Sequence, residues 1–208
     1  YRQNKTTYGY IGRKMINSKV SHCTSLSELY SEFRKQQEEA HGEYYCAQHD
    51  AVTKLMEDCE TYKELGTHQG ASAASACLTN PKKVEVVDIT FEKLQVSEHL
   101  FHAYCEENDI EFIKHEMSST DKRCAGPVDL LVIDSLHNPR HLAAELALHS
   151  RYVKKYIVCH DTSILHGRAN DALYQVLVNF TSGITPWYIS EHETRNVGYT
   201  VLSNSINT

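Results

Sequence analysis

The sequence contains no apolar run approaching the roughly 20 residues that span a bilayer, which excludes a helical membrane anchor within it. It also lacks any C-x-x-C pair. Its seven cysteines, at 23, 46, 59, 77, 105, 124 and 159, are odd in number and scattered. That pattern points to reduced thiols in a cytoplasmic setting rather than to a disulfide frame or a structural zinc site. Positive charge is short: 21 Lys and Arg stand against 27 Asp and Glu, for a net charge of −6. The pairs Lys82-Lys83 and Lys154-Lys155 are isolated, so the basic face that nucleic acid requires is not evident. Internal repeats and low-complexity stretches are absent as well. No signal-peptide pattern precedes the first helix, and the opening Tyr1 leaves room for a trimmed leader or upstream domain. What remains is a 208-residue chain, 41% hydrophobic and 23% charged, enough for one α/β unit with a full core.

Residues 1–24 show no clear period and read as an extended, partner-contacting arm. Ser25-x-x-Glu28 is a capping box ahead of the apolar stripe Leu26, Leu29, Tyr30 and Phe33. A second helix over 43–59 would put Tyr45, Val52, Leu55 and Met56 on one side. From Thr61 the pattern alternates. TYKELG, KVEVVDI, IEFIKHE, VDLLVID and YIVCHD read as strands, and helical patterns cover 69–79, 92–107, 138–150 and 168–181. Runs such as VDLLVI suit strands buried on both faces, as parallel strands covered by helices must be. TPWYISEH and GYTVLS, joined through Thr194-Arg195-Asn196, form a terminal hairpin. The expected architecture is α/β: a Rossmann-like, doubly wound, mostly parallel seven-stranded sheet with an antiparallel last strand, preceded by N-terminal helices. Residues 1–59 form the arm and helices and 60–208 the sheet domain, together one compact unit.

The most informative segment is Glu64-Leu65-Gly66-Thr67-His68-Gln69-Gly70, a strand end and a glycine-bearing turn, followed by the small-residue helix ASAASACL. Gly66 permits a sharp turn, Gly70 a close approach by ligand or backbone, and the helix offers unpaired N–H groups. Asp88 ends the next strand, where a carboxylate can accept both hydroxyls of a ribose. A nicotinamide-binding turn wants G-x-G-x-x-G, and here the middle position is His68. E-L-G-x-x-x-G with an acidic residue closing the following strand resembles the first two motifs of class I S-adenosylmethionine-dependent methyltransferases, over roughly Tyr45 to Ser203. The resemblance implies that Glu64, Gly66, Thr67, Gly70 and Ser72 surround the methionine end of S-adenosylmethionine. It also implies that Asp88 binds the ribose and that Met117 and Ser118, after the third strand, contact adenine. The structural alternative is a tight strand–helix turn without a ligand.

Two further strand tips carry chemistry. The fourth strand ends in Val-Ile-Asp134-Ser135-Leu136-His137, the fifth in Cys159-His160-Asp161. This is similar to the small-molecule O-methyltransferase branch, including cephalosporin-hydroxylase-like and catechol-type proteins, with Ser135 standing where glycine is common. By that resemblance Asp134, His160 and Asp161 would hold a divalent metal, Mg or Mn, with Asp134 also touching the cofactor. His160 is softer than the usual ligand there and suits Mn, Fe or Zn as well as Mg. Alternatively, His160 or His137, with Asp134, would act as acid and base without metal, or the group would be structural. The expected activity is O-methylation of a small-molecule hydroxyl, with catalytic His160, Asp134 and His137. The alternative is a non-catalytic cofactor-binding or partner-binding module. No N-P-P-Y tetrad follows the fourth strand, which speaks against nucleic-acid methylation. A homodimer through the N-terminal region is the partner expected beside the acceptor. The bland readings are a surface loop for His166, solvated loop positions for His68 and Gln69, a core or interface anchor for Trp187 and turn chemistry for Arg195-Asn196-Gly198. Asn4 and Asn179 begin glycosylation sequons that nothing else supports.

Overall fold

The computed structural model describes residues 20, 22–165, 168–169 and 171–206. The arm proper (1–19), the sequon at Asn4 and His166 lie outside the described residues. The first two helices are α1 (Leu26–His41) and α2 (Ala47–Met56). Ser25 caps α1 by accepting the Glu28 N–H, and Thr24 donates to the Glu28 carboxylate in return. There follow β1 (Thr61–Leu65), α3 (Ala71–Cys77), β2 (Lys83–Asp88), α4 (Glu98–Glu107) and β3 (Glu111–Glu116). The chain continues through β4 (Val128–Ile133), α5 (Pro139–His149) and β5 (Val153–His160). It ends in the short ribbon β6 (Ile164–Leu165) and β7 (Arg168–Ala169), then α6 (Ala172–Thr181), β8 (Trp187–Glu193) and β9 (Tyr199–Asn204).

The main sheet has the order β3-β2-β1-β4-β5-β9-β8, and β9 is antiparallel to both its neighbours. Strands β1 to β5 pair in parallel, so β9 alone runs against the rest. Strand alternation divides the core in two. Leu130 and Val132 face one side with Leu26, Leu29, Phe33, Val52 and Phe101, while Leu131 and Ile133 face the other with Leu142, Leu146, Leu173 and Leu177. The N-terminal helices therefore share a hydrophobic core with the sheet domain. They reach it through α3, whose Ala, Ser and Cys side chains are all buried and small enough to let α1 and α2 lie over them. Asp129 fastens β4 to β1 by accepting the Glu60 and Thr61 N–H groups, each at 3.0 Å.

Three helix expectations need correction. The second helix spans 47–56 rather than 43–59, because Gly42 and Tyr44 have positive φ and turn the chain, leaving Tyr45 in the connection. The helix expected over 92–107 starts at Glu98, after a stretch of turns. The one expected over 168–181 starts at Ala172, since Arg168–Ala169 pairs with Ile164–Leu165 as a ribbon. Trp187 is buried in the core. No helix among the described residues is long and apolar enough to cross a membrane.

Candidate active site

Parallel strands bring every carboxyl end to one edge of the sheet, where ligands of open α/β sheets bind. The turn after β1 is built tightly against its neighbours. Gly66 donates to Val87 O at 2.8 Å, and Asp134 N–H donates to Leu65 O at 2.8 Å. Gly66 has φ +88°, and a Cβ there would lie 2.2 Å from Asp134 O. Gly70, at φ +85°, is met by Leu94 Cδ1 and Phe101 Cζ, which would sit 2.7 and 2.9 Å from a Cβ. Protein atoms, then, make the close approach at both glycines. His68 also has positive φ, and its N–H donates to Asp88 Oδ2 at 2.9 Å. It is an exposed turn residue, as the solvated-loop reading has it, and its ring contacts Lys93 Nζ.

Two cavities, of about 360 and about 340 Å³, adjoin along this edge and share Gly66, His68, Asp134 and Ser135. Asp88, Met117 and Ser118 line the first, with Ile89 and Leu136, two apolar side chains left 75% and 63% exposed. Thr67, Ser72, Gln69 and His137 line the second, which α1, the α1–α2 connection and α2 close with Phe33, Gln36, Tyr45 and His49. Glu64 and Gly70 line neither cavity and sit beneath the turn.

Glu64 is 1% exposed. Its Oε1 accepts from Ser72 and from the Tyr62 hydroxyl, while Oε2 has no partner. Burial pushes its carboxyl up to about 8, against the opposing hydrogen bond from Ser72. A carboxyl that binds its proton more tightly folded than unfolded gives stability below pH about 4.5 that is lost as pH rises to about 8. The loss is on the order of 4–5 kcal/mol. Glu64→Gln, which mimics the neutral form, should match the parent at pH 4 and exceed it by several kcal/mol at pH 8.5. Denaturant midpoints at the two pH values measure the difference, and equal pH slopes would sink the assignment.

The tips of β4 and β5 hold four charged groups. Asp134 Oδ1 lies 3.0 Å from His137 Nε2 and 3.2 Å from His160 Nδ1. Asp161 Oδ2 is 2.9 Å from His137 Nδ1, and Asp161 Oδ1 is 3.3 Å from His160 Nδ1. His137, hydrogen-bonded to Asp134 and Asp161 against the effect of burial, is raised to about 10. Burial opposes the charged form of His160, yet Asp134 and Asp161 raise it overall. Asp134, despite burial, is held well below the usual carboxylate range by His160 and His137. The ligand atoms of Asp134, His137 and His160 all lie within 4.8 Å of one another. The group that could hold an ion thus joins His137 to Asp134 and His160, where the resemblance implied Asp161, and Asp161 contacts both imidazoles. Asp161 has φ +56°, a backbone turn that sequence spacing does not display.

Sequence reasoning missed several groups. Tyr45 meets the His160 ring edge-on at 6.0 Å, and its hydroxyl is pushed up to about 12 by burial and the nearby Asp134 and Asp161. In the first cavity, His141 Nε2 pairs with Ser119 Oγ at 2.9 Å, and Ser135 donates to the fully buried Glu145. Asn196, read as turn chemistry, donates to His41 O and Glu43 O at 3.0 and 3.1 Å, tying the β8–β9 hairpin to the α1–α2 connection. Ile89 and Leu136 offered one readable signal, an apolar residue one or two positions after a strand-tip aspartate.

No family model matches the sequence. No curated protein matches it either. Solved structures do. The chain is similar to the Podospora anserina methyltransferase PaMTH1, solved with SAH: 14% identity, 98% of both chains covered, TM-score 0.60. A Staphylococcus aureus protein described as a caffeoyl-CoA O-methyltransferase shares 12% identity, with 93% of this chain and 99% of that one covered and a TM-score of 0.61. Magnesium protoporphyrin IX methyltransferase of Synechocystis, solved with SAM, shares 12% identity over 76% of this chain and 79% of that one, TM-score 0.54. At such identities the likeness is one of fold: the chain has the Rossmann-like methyltransferase architecture.

Proposed function

We propose that the protein transfers a methyl group from S-adenosylmethionine to a hydroxyl of a small molecule. The observation that carries this reading is the pair of adjoining cavities at the strand tips, with Asp88 in one and the Asp134–His137–His160 group at the edge of the other. The residues fit the cofactor. Asp88 uses one lone pair of each oxygen on the N–H groups of His68 and Thr90 and keeps another on each for two ribose hydroxyls. Ile89, Met117 and Leu136 offer apolar surface to a base, with Ser118 beside them. The turn presents Gly66, Thr67 and Ser72 to the second cavity for the methionine end, and Glu64, whose Oε2 has no partner, lies beneath them with Gly70. When bound, the cofactor supplies an electrophilic methyl on a sulfonium, and the chain's task is alignment of the acceptor oxygen.

Asp134, His137 and His160 would hold a divalent ion, with Asp161 orienting His137 from behind. Two nitrogens and a carboxylate suit Mn²⁺, Fe²⁺ or Zn²⁺ and accept Mg²⁺ less readily. Such an ion lowers the pKa of a bound hydroxyl. Asp134 and Asp161 make both imidazoles hold their protons more tightly, so a bound ion would have to displace those protons just as metal-free base work would have to remove them. The same reading puts the protein in the cytoplasm, where its seven thiols, all free, stay reduced, and leaves the N-terminal region for a homodimer contact.

Isothermal titration with S-adenosylhomocysteine should show saturable binding, weakened roughly tenfold or more in Asp88→Ala. Failure of well-folded protein to bind, or equal affinity in the variant, would remove the reading. Turnover should vanish on exhaustive chelation and return with Mn²⁺. Full turnover without metal would eliminate the ion but leave methyl transfer standing.

A further inference from the structure

The second cavity holds polar atoms that the protein itself leaves unsatisfied. His49, on α2, is 6% exposed, and its Nδ1 has no hydrogen-bond partner. Gln36, on α1, donates its amide N–H to Glu32 Oε1, which fixes the amide and leaves Oε1 buried and unpartnered. Both residues line the cavity, and they come from different helices. A buried donor or acceptor without a partner is expensive to leave unmade, so a pair of them on residues that line one cavity marks a place where a ligand completes the hydrogen bonds.

The remaining lining narrows the ligand class. Among the described residues it contains no Lys or Arg, and the cationic His137 is already paired with Asp134 and Asp161, so a carboxylate or phosphate would find no free counter-ion. A hydrocarbon would leave the amide and imidazole atoms stranded. Phe33 and Tyr45 supply the apolar surface, and Tyr45 stacks on His41 at 4.3 Å. Flat aromatic surface beside neutral amide and imidazole groups suits a ring that carries several hydroxyls. The cavity is also held in shape. Asn196 grips the backbone on both sides of Gly42, and the Arg195 guanidinium lies 4.0 Å from the Tyr44 ring, so the connection carrying His41 and Tyr45 is anchored to the sheet.

We propose that the methyl acceptor is a neutral, hydroxyl-rich ring of the sugar class, read by Gln36 Oε1 and His49 Nδ1. This rests on the methyl-transfer reading for the identity of the reacting hydroxyl, while the binding claim stands by itself. His49 is suited to the role as a neutral imidazole, since burial lowers it to about 4.

The test is calorimetric titration of the full chain, with and without S-adenosylhomocysteine, against a panel of neutral methyl glycosides and inositols, with caffeate and a long-chain alcohol as competing classes. Saturable binding by a glycoside or inositol is expected, weakened roughly tenfold or more in Gln36→Leu and again in His49→Phe. Gln36 is half-exposed, so its variant reports even if the His49 variant folds poorly. Binding of caffeate or the alcohol alone, no binding by any polyol, or unchanged polyol affinity in Gln36→Leu overturns the proposal. Loss of S-adenosylhomocysteine binding with polyol binding intact would instead remove the cofactor reading and leave this one standing.

Discussion

Gly66→Ala is expected to destabilise the protein by about 2–5 kcal/mol and to abolish S-adenosylhomocysteine binding in whatever fraction stays folded. Two effects add. An L-residue at φ +88° carries roughly 1–2 kcal/mol of backbone strain. The new methyl would also lie 2.2 Å from Asp134 O and 2.6 Å from Ser135 Cα, backbone atoms that cannot swing aside, and such overpacking costs about 1–3 kcal/mol. Against a total stability of roughly 5–15 kcal/mol this is a large share. For a chain of this size it corresponds to a fall in Tm of about 10 °C. Relief requires the β1 turn and the β4 tip to separate, and those are the two elements shared by both cavities. Gly183→Ala is the control, since a Cβ there would meet only Phe180 O at 3.8 Å. Thermal melts with a parallel titration decide it: equal Tm values for the two variants would show that the β1 turn yields freely.

The reason Gly66 matters shows what a single sequence can disclose. The need for glycine was legible from its place after a buried strand, and so was Asp88 at the tip of the next one, because short apolar runs such as VDLLVI, alternating with helical patterns, suit strands covered on both faces. That Gly66 makes room for the β4 backbone was not legible, since the contact joins positions 68 residues apart. The second cavity was hidden for the same reason. Tyr45 and His49 reach it only because α3, built from Ala, Ser and Cys, lets α1 and α2 settle over the turn. The contact from Asn196 to His41 spans 155 positions, and no local pattern predicts it. Local rules also misplaced the start of α6, where ribbon pairing at Arg168–Ala169 overrides the helical period. Asp134 and His160 follow directly from strand ends, but which of His137 and Asp161 could complete an ion-holding group with them does not. That choice depends on side-chain direction after a left-handed residue, a quantity that spacing does not contain.

Asp134→Ala should lower methyl transfer by roughly 10²–10³-fold while weakening S-adenosylhomocysteine binding far less. Asp134 Oδ1 is bonded to both His137 Nε2 and His160 Nδ1, and the residue lines both cavities. Removing the side chain deletes a ligand atom from the group and leaves two imidazoles sharing Asp161 alone. The protons on those imidazoles report the change independently of turnover. His137 has its pKa raised from 6.5 to about 10, so its pairing stabilises the ion-free protein fully below pH 6.5, and that contribution is lost as pH rises through about 10. In Asp134→Ala the His137 titration should move down toward neutrality, stopping short of 6.5 because Asp161 still accepts from Nδ1. The alkaline loss of stability should flatten over the same interval. Imidazole NMR titration of chelated protein, with rates on the metal-loaded form, separates the outcomes. A displaced titration with full activity would make the cluster structural, whereas an unmoved titration would mean that Asp134 does not hold the His137 proton at all.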